Sequence, residues 1–193
     1  MPRPLRQDYD GAWHHVMNRG AGRAAILASD ADKQLFLDCL AEGTQRYAVE
    51  IHAYCLMSTH YHLLVRSTGS QLSATMRFVS GKFTRIKNTR DDRDGPLFRG
   101  RFTSVAIEND AQLIQASRYI HLNPVEAGLS SRASEWRWSS VAAYLGQADR
   151  QQWLKTDLIH DMFGPGDVMG AFRVHLNSGI DQDAREFYSR LNG

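Results

Sequence analysis

The order of periodic segments predicts an α+β fold: a ferredoxin-like βαββαβ unit with a mainly antiparallel sheet, one added helix and a helical C-terminal appendage. Two observations carry this. Residues 1–124 read in turn as strand, helix, strand, strand, helix, strand, helix, and beyond Pro124 the pattern weakens into short helical stretches. With 193 residues, 42% of them hydrophobic and 23% charged, the chain is long enough to bury one full core.

Each element has a local cause. Ala12 to Met17 reads as the first strand, ended by the turn residues Asn18-Arg19-Gly20 and Gly22. Ser29 or Asp30 then caps a helix in which Leu35, Phe36, Cys39, Leu40, Gly43 and Tyr47 recur at three- and four-residue spacing. From Val49 to Met57 the period is two, with Val49, Ile51, Ala53, Cys55 and Met57 set against Glu50, His52, Tyr54 and Leu56. Ser58 and Thr59 allow a tight reversal into a strand from His60 to Arg66. That strand puts Tyr61, Leu63 and Val65 on one side and His60, His62 and Leu64 on the other. A second helix carries the stripe Leu72, Met76, Val79, Phe83 and Ile86. Asp91 to Gly100 is a loop, Phe102 to Glu108 a fourth strand, and Asn109 or Asp110 caps a third helix that runs into Pro124. Short helical stretches follow at Ser139 to Leu145, Trp153 to Phe163 and Val168 to Leu176. We expect two units, 1–140 with the sheet and 141–193 as the appendage.

Composition excludes several classes. No stretch approaches the roughly 18 apolar residues of a membrane helix, and no apolar signal-peptide core follows Arg3 and Arg6. Cys39 and Cys55 are too few for a disulfide scaffold or a four-cysteine zinc site, which fits a reducing cytoplasm. Net charge is only +2, but it is unevenly spread: residues 1–140 carry 18 basic and 14 acidic residues, and 141–193 carry 5 and 7. Between Arg77 and Arg101 eight basic residues, Arg77, Lys82, Arg85, Lys87, Arg90, Arg93, Arg99 and Arg101, meet only Asp91, Asp92 and Asp94. A polyanion would feel that surplus, and a solvated helix face gives the same count.

The chemistry is concentrated in two places. In His60-Tyr61-His62 the two imidazoles project from one strand face, close enough to hold one cation, and Tyr61 anchors the opposite face. On the third helix Leu113, Ala116, Ser117 and Ile120 form the buried stripe, with Gln112, Tyr119 and Asn123 as a polar edge beside it. Pro124 disfavours helical geometry at Asn123. His52, His121, His160 and His175 have no evident partners, and both cysteines read as core.

Four blocks stand in order along the chain: His14-His15-Val16-Met17-Asn18-Arg19-Gly20, Tyr54 to Val65, Gly95-Pro96-Leu97-Phe98-Arg99-Gly100-Arg101-Phe102, and Arg118-Tyr119-Ile120-His121-Leu122-Asn123-Pro124-Val125. Together they resemble the single-tyrosine HUH transposases of the IS200-like type, in particular the branch associated with repetitive extragenic palindromes. The resemblance implies a nuclease that cuts and rejoins single-stranded DNA, often beside a hairpin, through a 5′-phosphotyrosine. It implies that the added helix is catalytic, with Tyr119 the nucleophile, that His60 and His62 are metal ligands with Asn123 a third, and that the metal is Mg²⁺ or Mn²⁺. Relatives include dimers, so a monomer or a homodimer is expected. For DNA we expect Arg77, Lys82, Arg85, Lys87, Arg99 and Arg101 to follow the backbone and Phe98 to offer a stacking surface. His14 and His15 are expected as satisfied strand-end histidines, one of which could approach the metal or the phosphate. Two alternatives keep the same scaffold: a DNA-binding module without catalysis, and a hydrolase that activates water.

Overall fold

A computed structural model of the chain describes residues 7–191, so Arg3 and Arg6 lie outside the described part. Strands β1 (Trp13–Arg19), β2 (Val49–Leu56), β3 (His60–Ser67) and β4 (Thr103–Ile107) form one antiparallel sheet in the order β2-β3-β1-β4. Helix α1 (Asp30–Arg46) joins β1 to β2, and α2 (Leu72–Arg90) joins β3 to β4. Each connection skips a strand, which is the split βαβ order read from the sequence. Helix α3 (Asp110–Glu126) follows, then α4 (Val141–Tyr144), α5 (Asp157–Asp161), α6 (Val168–Asn177) and α7 (Gln182–Leu191).

Helix starts are set by side-chain caps. The Ser29 hydroxyl accepts the Asp32 N–H at 3.1 Å while the Asp32 carboxylate accepts the Ser29 N–H at 3.0 Å, a reciprocal box that satisfies two orphan donors of α1. Asn109 caps α3 by accepting the Gln112 N–H at 2.9 Å. At α2 the Leu72 N–H donates to Asp8 Oδ2 at 3.1 Å, which ties the chain before β1 to that helix.

Each sheet face has its own core. On one, Val16, Tyr61, Leu63 and Val65 pack against Phe36 and Leu40 of α1 and Met76, Val79 and Phe83 of α2. The two helices approach closely at Gly43, where a Cβ would lie 2.9 Å from the Val79 methyl. On the other face Ala53, Cys55, Leu64 and Ile107 meet Leu113, Ala116 and Ile120 of α3, and the same cluster continues into Tyr144, Ile159, Phe172, Leu176 and Tyr188. The expected boundary at 140/141 therefore falls within continuous packing: the C-terminal helices close the second core.

Three local expectations are corrected. A bulge between Ile51 and Ala53 breaks the alternation of β2, so Val49 and Ile51 share a core with Tyr54 and Leu56 while Ala53, Cys55 and Met57 face the other. Helix α3 does not stop at Pro124 but carries it inside, and the Ala127 N–H donates to the Asn123 carbonyl at 3.0 Å. Helix α7 was not anticipated, although Ile180, Ala184 and Tyr188, all buried, recur every fourth residue. Neither cysteine is exposed, and burial pushes the Cys39 thiol up to about 11. No helix among the described residues is long and apolar enough to cross a membrane.

Candidate active site

The second sheet face holds the polar groups of interest. Strand β1 turns His15, Met17 and Arg19 toward it, and antiparallel pairing sets Met17 opposite His62 and Arg19 opposite His60. The His60 and His62 rings lie 5.1 Å apart, nearly perpendicular. Tyr61 points the other way, fully buried against Phe36 and Phe98, so it is no rival hydroxyl at the site. From α3, Tyr119 brings its ring to 5.6 Å from that of His62 and 5.8 Å from that of His15, and Asn123 Oδ1 lies 3.4 Å from His60 Nε2. His60, Thr59, Tyr119 and Asn123 line one cleft of about 310 Å³ with Met17, Arg19, Arg23, Glu126 and Ala127.

Hydrogen bonds orient the imidazoles. His62 Nδ1 and His15 Nε2 are 2.9 Å apart in a fully buried contact, and His62 Nε2 is buried without a partner. Burial holds the His62 pKa well below its ordinary value, with the neighbouring His15 and His60 acting in the same direction, and burial alone lowers His15 to about 3. Both rings are therefore neutral at pH 7. A proton on His62 Nδ1, donated to His15, leaves the Nε2 lone pair free. On His60 the Thr59 hydroxyl sits 2.9 Å from Nδ1, and burial, followed by the Asn123 contact and the Arg19 charge, leaves a net lowered pKa. An orphaned nitrogen on His62, together with His60 Nε2 and Asn123 Oδ1 3.4 Å apart, suits a divalent cation with open positions. Among the described residues no group of three or more His, Cys, Asp or Glu is arranged to hold a metal, so a closed structural site is not offered.

Sequence reasoning left one participant open and missed another. His14 and His15 were expected as strand-end histidines, one of which could approach the metal or the phosphate; His15 lies against His62 from behind, while His14 faces away toward Ser104 Oγ at 3.0 Å. Tyr188 of α7 stacks on Tyr119 with ring centroids 4.4 Å apart and meets the His15 ring at 5.1 Å. Tyr119 is thereby only 5% exposed. Burial, with Tyr119 and Asp181 nearby, pushes the Tyr188 hydroxyl up to about 12.

The expected DNA-contacting residues scatter. Arg77 and Arg85 are exposed, but on α2, across the sheet from His60 and His62. Lys82 pairs with Glu42. Lys87 is buried and held at 2.8 Å by both Asp32 and Asp91, so it is a structural cation rather than a contact for DNA. Phe98 is also corrected: it is buried against Phe83 and Tyr61 and offers no stacking surface. Arg99 and Arg101 are exposed on the loop after α2, and the Arg99 N–H donates to the Arg19 carbonyl at 2.9 Å. The four histidines without evident partners acquire them: the His52 ring packs at a tilt against Trp13 with centroids 4.3 Å apart, His121 Nε2 lies 2.7 Å from Ser140 Oγ, and His160 and His175 approach the carbonyls of Tyr144 and Ile114 at 3.1 and 3.4 Å.

The family model of the IS200-like transposases matches residues 9–123, a span that includes β1, both histidines of β3, Tyr119 and Asn123. The chain belongs to that family. A REP-associated tyrosine transposase homologue of Haemophilus influenzae is 26% identical over 133 residues, 60% of this chain and 76% of the relative. Among solved structures, a REP-associated tyrosine transposase bound to a REP hairpin superposes with a TM-score of 0.66 at 20% identity, covering 82% of this chain and 93% of that one. This supports the transposase fold. A transposase-like protein of Deinococcus radiodurans gives a TM-score of 0.44 at 13% identity over 66% of this chain and 98% of that one.

Proposed function

We propose that this IS200-like family member is a metal-dependent endonuclease and strand transferase for single-stranded DNA, acting beside hairpins through a 5′-phosphotyrosine on Tyr119. The observation that carries the reading is the convergence of Tyr119, His60 and Asn123 on one cleft, with His62 and its unpartnered nitrogen beside them. A phenol is a reluctant nucleophile toward a phosphodiester, so the site must both place the oxygen and absorb charge on the phosphate. Mg²⁺ or Mn²⁺ held by His60, His62 and Asn123 would supply Lewis-acid charge stabilisation worth several kcal/mol. The protein's own part is placement. Helix α3 aims the Tyr119 oxygen, and His15 holds His62 in one tautomer. Attack at phosphorus expels the 3′-oxygen, which takes up a proton as the phenol gives one up. The phosphotyrosine keeps the energy of the cut bond, so a 3′-hydroxyl can reverse the step without ATP.

Hairpin DNA as partner is supported by the fold relative that was solved bound to a REP hairpin. The test is incubation with a single-stranded hairpin oligonucleotide and Mn²⁺. The expected product is a covalent protein–DNA band that Tyr119→Phe abolishes and His60→Ala suppresses. One observation favours a second reading, a DNA-binding module without catalysis: Tyr119 lies under Tyr188. That reading predicts affinity without an adduct, and free 5′-phosphate ends without attached protein would indicate water as the nucleophile.

A further inference from the structure

Three arginines gather at the end of β1, two of them lining the cleft and the third, Arg99, tied to the same turn by its backbone. Arg19 stands across the strand pair from His60, and Arg19 and Arg23 both line the cleft with Tyr119 and Asn123. Arg23 is held at a positive φ of 61°, directly after Gly22 at 59°, in a turn that Gly20 makes possible. A Cβ on Gly20 would fall 2.2 Å from the Ala24 carbonyl oxygen. A left-handed conformation at a non-glycine residue is strained and persists where the surroundings impose it. Arg99 is sewn onto the same turn. Its N–H donates to the Arg19 carbonyl at 2.9 Å, the Ala21 N–H donates to the Leu97 carbonyl at 2.9 Å, and Asn18 Nδ2 donates to the Gly100 carbonyl at 3.1 Å. Leu97 and Phe98 are buried beneath, so this loop is anchored next to the end of β1.

The charges are close enough to feel one another: partial desolvation, then Arg99 and Arg23, hold the Arg19 guanidinium below its ordinary value. Among the described residues lining the cleft the one carboxylate, Glu126, is met by Arg185 in a two-point contact at 2.8 and 3.0 Å. Like charges gathered at a concave surface favour an anion, and guanidinium forks match phosphate oxygens.

We propose that Arg19, Arg23 and Arg99 form a phosphate-binding site that grips a backbone phosphodiester neighbouring the one presented to Tyr119. This rests on the cleavage reading for its position, but the grip itself needs no chemistry. It sets which linkage of a bound strand reaches the tyrosine, a task the metal ligands cannot perform because they see only one phosphate.

The test uses the Tyr119→Phe protein, which binds without cutting, and single-stranded oligonucleotides in which one phosphate at a time is an uncharged methylphosphonate. One linkage within two of the cut should lose roughly tenfold in affinity when neutralised. Arg23→Ala and Arg99→Ala should each lose about as much on the native strand, lose nothing further with that linkage neutralised, and flatten the salt dependence by about 0.7 per arginine. Arg85→Ala, on the far face, should change neither. Equal effects at every linkage, or arginine variants that bind the native strand within twofold of the parent, would overturn the proposal. Adduct formation by the unsubstituted protein is scored separately, so a failure of the arginine site and a failure of the tyrosine reading give different results.

Discussion

Replacing His15 by Leu isolates the support behind the proposed metal ligands. The substitution keeps roughly the same volume in a fully buried position but removes the nitrogen that lies 2.9 Å from His62 Nδ1. His62 then loses the partner that fixes its tautomer, and a buried N–H is left unmade at a cost of about 1 to 3 kcal/mol. Loss of an outer partner of a metal-bound histidine lowers metal affinity by roughly 10- to 100-fold, or about 1.4 to 2.7 kcal/mol at 1.4 kcal/mol per decade. Calorimetric titration with Mn²⁺ should therefore show a dissociation constant at least tenfold weaker, and the Mn²⁺ concentration for half-maximal adduct formation should shift by the same factor. Urea unfolding in parallel confirms that the variant is folded. A folded His15→Leu protein with unchanged Mn²⁺ affinity would refute the idea that His15 organises the site.

Other outcomes follow from particular contacts. His121 is fully buried and its pKa is lowered from 6.5 to about 3, so the unfolded chain takes up a proton that the folded chain refuses. Its contribution is complete above about pH 6.5 and lost as pH falls, by about 2 kcal/mol at pH 5. Urea midpoints measured at pH 7 and pH 5 should differ accordingly, and His121→Gln should shrink the difference. Lys87→Ala leaves the buried Asp32 carboxylate with Arg90 and the Ser29 N–H. It should cost about 2 kcal/mol of stability in urea unfolding while leaving oligonucleotide affinity unchanged. Tyr188→Ala removes a stacked ring worth about 1 kcal/mol. Tyr119 should then be nitrated by tetranitromethane about fivefold faster, with Tyr188→Phe unchanged from the native chain.

Much of the sheet and half of the cleft were legible because their causes are local. Strand alternation fixes which face His60 and His62 share, and the Ser29 and Asn109 caps mark where helices begin. The bulge at His52 escaped because an extra residue in a strand leaves the apolar pattern nearly intact while reversing which core each residue enters. Counting charges along α2 could not say which cations were already spoken for, since Asp32, Lys87's partner, lies on another helix. Arg19, Arg23 and Tyr188 belong to the site only through pairings distant in sequence. For Tyr188 the four-residue recurrence with Ile180 and Ala184 signals a helix, and nothing in that spacing names its destination.

The groups in and around the cleft leave the ribosome in a set sequence: Arg19 and Arg23, then the histidine pair, then Arg99, then Tyr119 with Asn123, and after them Tyr188. Synthesis halted before Asn109 yields a chain with all four strands and both imidazoles but without Tyr119, which on the proposed mechanism forms no adduct with DNA. Synthesis halted after α6 leaves the phenol without its covering ring. The aromatic that shelters Tyr119 is thus made after it, and a chain needs α7 to carry both rings.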